Sequence, residues 1–205
     1  MTAKENDGRT DGELLGLFGV SEVMDLPGAV MEAVTGDVVR RDALYRRLLE
    51  LFGYDLGYDW FQKLYEREFA QRKKDKQDFT PPEVTRLAAV LAGAERAGTV
   101  HEPTAGTGGL LISVWAEKCR RVMPWEFRPS ENMVTCWEIS ARAIPLLLLN
   151  LSIRGMTGYV YHGDVLERTV VQRYIVLNET DDAMGFSGVF KVDGNARIKE
   201  VKHEF

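Results

Sequence analysis

The sequence predicts an α/β domain with a mainly parallel sheet, preceded by a helical extension. Three observations carry this. From about residue 98 to 178, short β-type runs alternate with helical runs. A glycine-rich turn, His101–Gly109, joins the first of those runs to a helix. Residues 14–77, by contrast, carry only helical periodicity. The division falls at residues 1–76 for the extension and 77–205 for the sheet domain.

Residues 1–12 are polar and are expected to be disordered. Leu26-Pro27-Gly28 opens a helix with Val30, Met31 and Val34 at helical spacing, and Thr35-Gly36-Asp37 breaks it. A second helix spans Arg40 to Phe52, with Leu44, Leu48, Leu51 and Phe52 on one face and Gly53 at its end. Asp59 is placed to cap a third, longer helix through Trp60, Leu64, Tyr65, Glu68 and Phe69. Its end, Gln71–Lys76, is basic, which suits a solvated helix C-terminus or, alternatively, a phosphate contact. Thr80 caps the next helix, whose first turn holds Pro81, Pro82 and Glu83.

Gly98–Glu102 then reads as a strand and Gly109–Cys119 as a helix. Met133–Ile139 is a second strand, and Ser140 caps a helix carrying Ile144, Leu147, Leu148 and Leu151. Tyr159–Asp164 is a third strand, Val165 to about Gln172 a short helix, and Arg173–Asn178 a fourth strand. Phe186–Val192 and Arg197–Phe205 could form a hairpin.

Composition narrows the function. Against 26 basic residues stand 31 acidic ones, a net charge of −5, so the surface as a whole does not attract nucleic acid. Any DNA contact would be local or supplied by a partner. Cys119 and Cys136 are too few for a disulfide framework and have no metal spacing. His101, His162 and His203 are scattered, so no metal is expected. The polar N-terminus lacks the apolar core of a signal peptide, and Ile144–Leu151 is too short to span a bilayer. A cytoplasmic location, with no membrane partner, is the default.

In open α/β sheets, ligands sit at the carboxyl ends of the strands. Glu102, Glu138, Asp164 and Asn178 all fall at predicted strand ends. Gly106, Gly108 and Gly109 allow positive φ and a close ligand, and the helix behind them offers unpaired N–H groups. A carboxylate at Glu138 can accept from two ribose hydroxyls, and one at Asp164 from an adenine amino group.

Gln77–Pro82, Glu102–Gly109, Glu138 and Gly163-Asp164, in that order, resemble the cofactor half of the amino-group, adenine-specific DNA methyltransferases. The likeness is to the modification subunits of type I restriction systems and their phage-borne relatives. It covers about Asp59 to Asn178. The Gly-Gln-Phe-x-Thr-Pro motif stands here as Gln77-Asp78-Phe79-Thr80-Pro81, one residue shorter before the Thr-Pro. The Asp/Glu-Pro-x-x-Gly-x-Gly-Gly motif is matched by Glu102, Pro103, Gly106, Gly108 and Gly109.

The resemblance implies a Rossmann-like fold and an S-adenosylmethionine cofactor. It implies that Phe79 and Thr80 lie against that cofactor. Glu102, Pro103, Thr104 and the turn through Gly106, Thr107 and Gly108 would hold the methionine part. Glu138 would hold the ribose and Asp164 the adenine amino group, with Ile139 and Val165 beside them against the cofactor. The family's Asn-Pro-Pro-aromatic motif, which receives the flipped base, has no match. Asn178 stands where its Asn could fall, but Glu179, Thr180, Asp181 and Asp182 follow, and 27 residues remain after it. Asn178 is the one candidate for catalysis. Two functions stay open: adenine methylation, alone or with a partner subunit, and an inactive cofactor-binding module with a regulatory or anti-restriction role.

Overall fold

A computed structural model describes residues 3–67, 80, 82–91 and 98–192. Three helices lead: α1 (Ala3–Leu17), α2 (Leu26–Thr35) and α3 (Val38–Leu51). The polar lead is therefore helical from Ala3, not disordered, and Leu14 on it is buried. One buried leucine anchors a segment whose own pattern is weakly amphipathic, which is why composition alone misses it. In α2, Pro27 sits in the first turn, and Leu26, Val30 and Val34 are buried at four-residue spacing. The Asp37 carboxylate caps α3 by accepting from the Arg40 N–H at 3.0 Å, which starts that helix two residues before Arg40.

The helix expected from Asp59 opens three residues later as α4 (Gln62–Tyr65) and runs on as a π turn over 66–67; its expected continuation through Glu68 and Phe69 lies outside the described residues. The basic run 71–76 and Gln77-Asp78-Phe79, with the cofactor role expected of Phe79, lie outside them. The proline-led helix follows as α5 (Pro82–Leu91).

The sheet has five strands in chain order: β1 (Val100–Glu102), β2 (Val134–Glu138), β3 (Gly158–Asp164), β4 (Thr169–Leu177) and β5 (Gly188–Val192). Helix α6 (Gly109–Cys119) connects β1 to β2, and α7 (Ala143–Ile153) connects β2 to β3. These three strands pair parallel, the α/β arrangement read from the alternation. From β3 onward the chain departs from that reading. β4 and β5 pair antiparallel.

The helix expected at 165–172 is a tight turn followed by the start of β4. The local reason is visible. Asp164 Oδ1 accepts from the N–H groups of Leu166 and Glu167 at 2.8 and 3.1 Å, which folds the chain back at once. The β-branched run Thr169-Val170-Val171 then pairs with β3. A Cβ on Gly163 would stand 2.0 Å from the Thr169 carbonyl oxygen, so only glycine allows this close pairing.

The core is organised on α7. All eleven of its residues are buried, as expected of a helix that is apolar all round. On the sheet, alternate residues Val134, Cys136, Val160, Tyr174, Val176 and Val189 join the same cluster as Leu147, Leu148 and Leu151. Leu14, Leu26, Val30, Val34, Tyr45 and Leu48 of the leading helices belong to it too. The extension and the sheet thus share one core. Across it, the Tyr45 hydroxyl donates to Ser152 Oγ at 2.9 Å, and Ser152 Oγ donates to the Ser187 carbonyl.

Candidate cofactor site

The glycine turn is built by three constraints. The Ala105 N–H donates to the Trp137 carbonyl at 2.9 Å, which fastens the turn to the end of β2. The Gly106 N–H donates to Glu138 Oε2 at 2.7 Å. Gly108 adopts φ +103°, and a Cβ there would stand 3.0 Å from Leu147 Cδ1, in the middle of the core. Gly108 is the N-cap of α6 and offers no side chain to the helix. The first N–H groups of α6 are thereby left available to a ligand.

A cavity of about 590 Å³ opens over this turn. It lies within the size range of small-molecule sites. Thr80, Glu102, Pro103, Thr104, Gly106, Thr107, Glu138, Ile139, Asp164 and Val165 all line it. Three strand ends, the turn and the start of α5 thus converge on one space. Gly108 lies one step behind the wall, shaping the turn. Glu102 Oε1 accepts from the Thr104 N–H at 3.1 Å, which folds the Pro103-Thr104 corner toward the turn. Glu138 is 6% exposed, and its Oε1 accepts from the Ser140 N–H at 2.7 Å. Both of its oxygens are therefore engaged by backbone donors, one on each side. Burial and the neighbouring carboxylates of Glu102 and Glu138 push the Cys136 thiol up, so it stays protonated beneath the site.

Asn178 is not part of this space. Because β4 runs antiparallel to β3, Val176 stands opposite Gly158 while Thr169 stands opposite Asp164. Asn178 therefore falls at the far end of the sheet, about 20 Å from Asp164 at ~3.3 Å per residue. Its side chain closes a loop instead. Nδ2 donates to the carbonyls of Gly155 and Asp182 at 3.1 and 2.7 Å, and Oδ1 accepts from Thr180 Oγ1 at 3.0 Å. The expectation that Asn178 joins the other strand ends at the site is corrected on this geometry. It assumed that the fourth strand runs parallel, which would have put its C-terminus beside the other strand ends.

Gln62 and Asp59 are among the cavity residues that were not expected from the sequence. Gln62 Nε2 donates to the Thr80 carbonyl at 3.1 Å and to Glu66 Oε1 at 2.8 Å, holding the start of the proline helix against the site. Asp59, read as a helix cap, stands two residues before Phe61, the N-cap of α4, and accepts from the Phe61 N–H at 3.0 Å. It is also buried against the glycine turn, where its Oδ2 accepts from Thr107 Oγ1. Burial pushes its carboxyl up, while the bonds from Thr107, Phe61 and Asn150 and the Arg154 charge pull it back. No local pattern could reveal contacts spanning 48 and 91 residues of sequence.

A parallel β1–β3 core, a glycine turn and acids gathered at strand ends define a Rossmann-like α/β domain with its ligand site at the carboxyl ends of the strands. The family comparison narrows this: the model described as N-6 DNA Methylase matches residues 56–184, and the chain belongs to that family. No curated protein and no solved structure matches the chain. Among the described residues, no helix is long and apolar enough to cross a membrane.

Proposed function

We propose that the cavity binds S-adenosylmethionine and that the chain serves adenine N6 methylation of DNA, alone or with a partner subunit. The observation that carries this is the convergence of Thr80, Glu102, the turn, Glu138 and Asp164 on one 590 Å³ space. The donor set fits the ligand. The uncapped α6 N-terminus suits the methionine carboxylate. The Glu138 carboxylate stands at the end of β2 for the ribose hydroxyls. Asp164 spends Oδ1 on its own turn, and Oδ2 suits the adenine amino group.

When bound, the cofactor would be held by the α6 N-terminus, Glu138 and Asp164 and would supply an electrophilic methyl group on its sulfonium. The protein residues named here bind and orient; none is a nucleophile, so the rate depends on positioning. Asn178's place at the other end of the sheet favours a second reading, a cofactor-binding module with a regulatory or anti-restriction role. Titration calorimetry with S-adenosylmethionine tests the shared premise. Saturation at about 100 times Kd adds about 2.7 kcal/mol of stability; an unchanged unfolding midpoint at that ratio rejects the cofactor. Transfer of labelled methyl to duplex or single-stranded DNA then separates the two readings.

A further inference from the structure

Thr107 of the glycine turn is held through both its side chain and its backbone. Its hydroxyl donates to Asp59 Oδ2, and its carbonyl accepts from Asn150 Nδ2 at 2.8 Å. The same Asn150 Nδ2 donates to Asp59 Oδ1 at 2.9 Å. Asn150 Oδ1 accepts from Arg154 Nη1 at 2.9 Å. Arg154 is anchored in turn, donating through Nε to the Leu56 carbonyl at 2.9 Å and through Nη2 to the Tyr58 carbonyl at 2.6 Å. Its guanidinium also lies 5.2 Å from the centre of the Trp60 ring. Segment 56–61, the glycine turn and α7 therefore meet in one buried polar network. Glu138 holds the same turn from the other side through Gly106.

Two clamps thus fix a turn whose glycine at 106 could otherwise sample several conformations (φ +56°). Asp59 touches the cavity, whereas Asn150 is fully buried behind its wall. We propose that Asp59 and Asn150 are positioning residues for the cofactor, acting through Thr107 to keep the turn preorganised before the ligand arrives. Preorganisation of this kind removes an ordering cost from binding. The proposal rests on the S-adenosylmethionine reading of the cavity.

The test measures S-adenosylmethionine affinity by calorimetry on the full chain for Asn150→Ala, Asp59→Asn, Thr107→Val and the Asp59→Asn/Thr107→Val pair. Amide exchange at Gly106 and Gly108 is measured alongside. Asn150→Ala is expected to weaken affinity at least tenfold, about 1.4 kcal/mol, and to speed exchange at both glycines. Asp59→Asn should cost affinity alone but nothing further once Thr107 is Val. A lower unfolding midpoint with unchanged affinity and unchanged glycine exchange overturns the proposal, as do additive losses in the pair. Where Asp59→Asn fails to fold, Thr107→Ser replaces it: affinity retained with Ser and lost with Val supports the clamp, and equal loss overturns it. If the unaltered chain binds no cofactor, the cavity reading fails, and the glycine exchange in Asn150→Ala still decides the clamp.

Discussion

Replacing Gly108 or Gly109 by alanine should have opposite effects on stability, although both glycines belong to one motif. At Gly108 the backbone sits at φ +103°, where an L-residue costs about 1–2 kcal/mol. The added Cβ would also stand 3.0 Å from Leu147 Cδ1. Leu147 is wholly buried, so its side chain has no open space to swing into. Crowding a packed core adds roughly 1–3 kcal/mol. The reduced freedom of the unfolded chain returns about 0.4–1 kcal/mol. Gly108→Ala should therefore lose about 1–4.5 kcal/mol, which for a chain of this size is a fall in Tm of roughly 2–18 °C. Gly109 has no positive φ, and a Cβ there meets nothing nearer than Gln62 Oε1 at 3.7 Å. It is the first residue of α6, so Gly109→Ala should gain up to about 1 kcal/mol in the ligand-free protein. Urea denaturation at constant m-value checks both. A Gly108→Ala midpoint within about 0.5 kcal/mol of the parent would refute the argument; so would a Gly109→Ala protein as unstable as Gly108→Ala.

Three further outcomes follow from the same structure. Asn178→Ala removes the clasp on the 178–185 loop and should cost about 2–3 kcal/mol, with S-adenosylmethionine affinity unchanged; a specific loss of affinity in calorimetry would restore the residue to the site. Tyr45→Phe deletes a buried hydroxyl that donates to Ser152 and should cost about 1–1.5 kcal/mol in denaturant, again without touching the cavity. Alkaline pH should weaken the fold. Burial raises the Cys136 thiol and pushes Cys119 up to about 12, so above pH 9 the unfolded chain loses thiol protons that the folded chain keeps. The unfolded state then binds fewer protons, and stability falls as pH rises from 9 to 10. By pH 10 Cys136 contributes a loss of up to about 1.4 kcal/mol and Cys119, partly exposed, less. Urea midpoints at pH 7.5 and 10 measure this, and Cys136→Ala should flatten the slope; an unflattened slope rules the thiol out.

The cavity side of the domain was legible because the residues that line it are locally encoded. A strand that ends in an acid, a glycine turn and a helix start are all encoded within about ten residues, and Glu102 to Gly109 contains them together. The same holds for Glu138 before Ser140 and for Asp164 after Gly163, each at a β-type run's end. Apolar spacing also located α2, α3, α6 and α7 to within a few residues. What failed was a question of pairing. Residues 165–178 carry a short helical pattern next to a β-type run, and nothing within them says which neighbour the strand will choose.

The sequence by itself determined the element types from Pro82 to Asp164, the glycine turn and the acids that surround it, because propensity, capping and φ restrictions act over a few residues. Tertiary structure decided the rest. It turned β4 back along β3, which carried Asn178 to the far end of the sheet, where its side chain clasps a loop. It also brought Asp59, Thr107, Asn150 and Arg154 together from positions up to 95 residues apart. Strand direction and buried polar partners depend on which distant surfaces meet, and that information belongs to the packed chain as a whole.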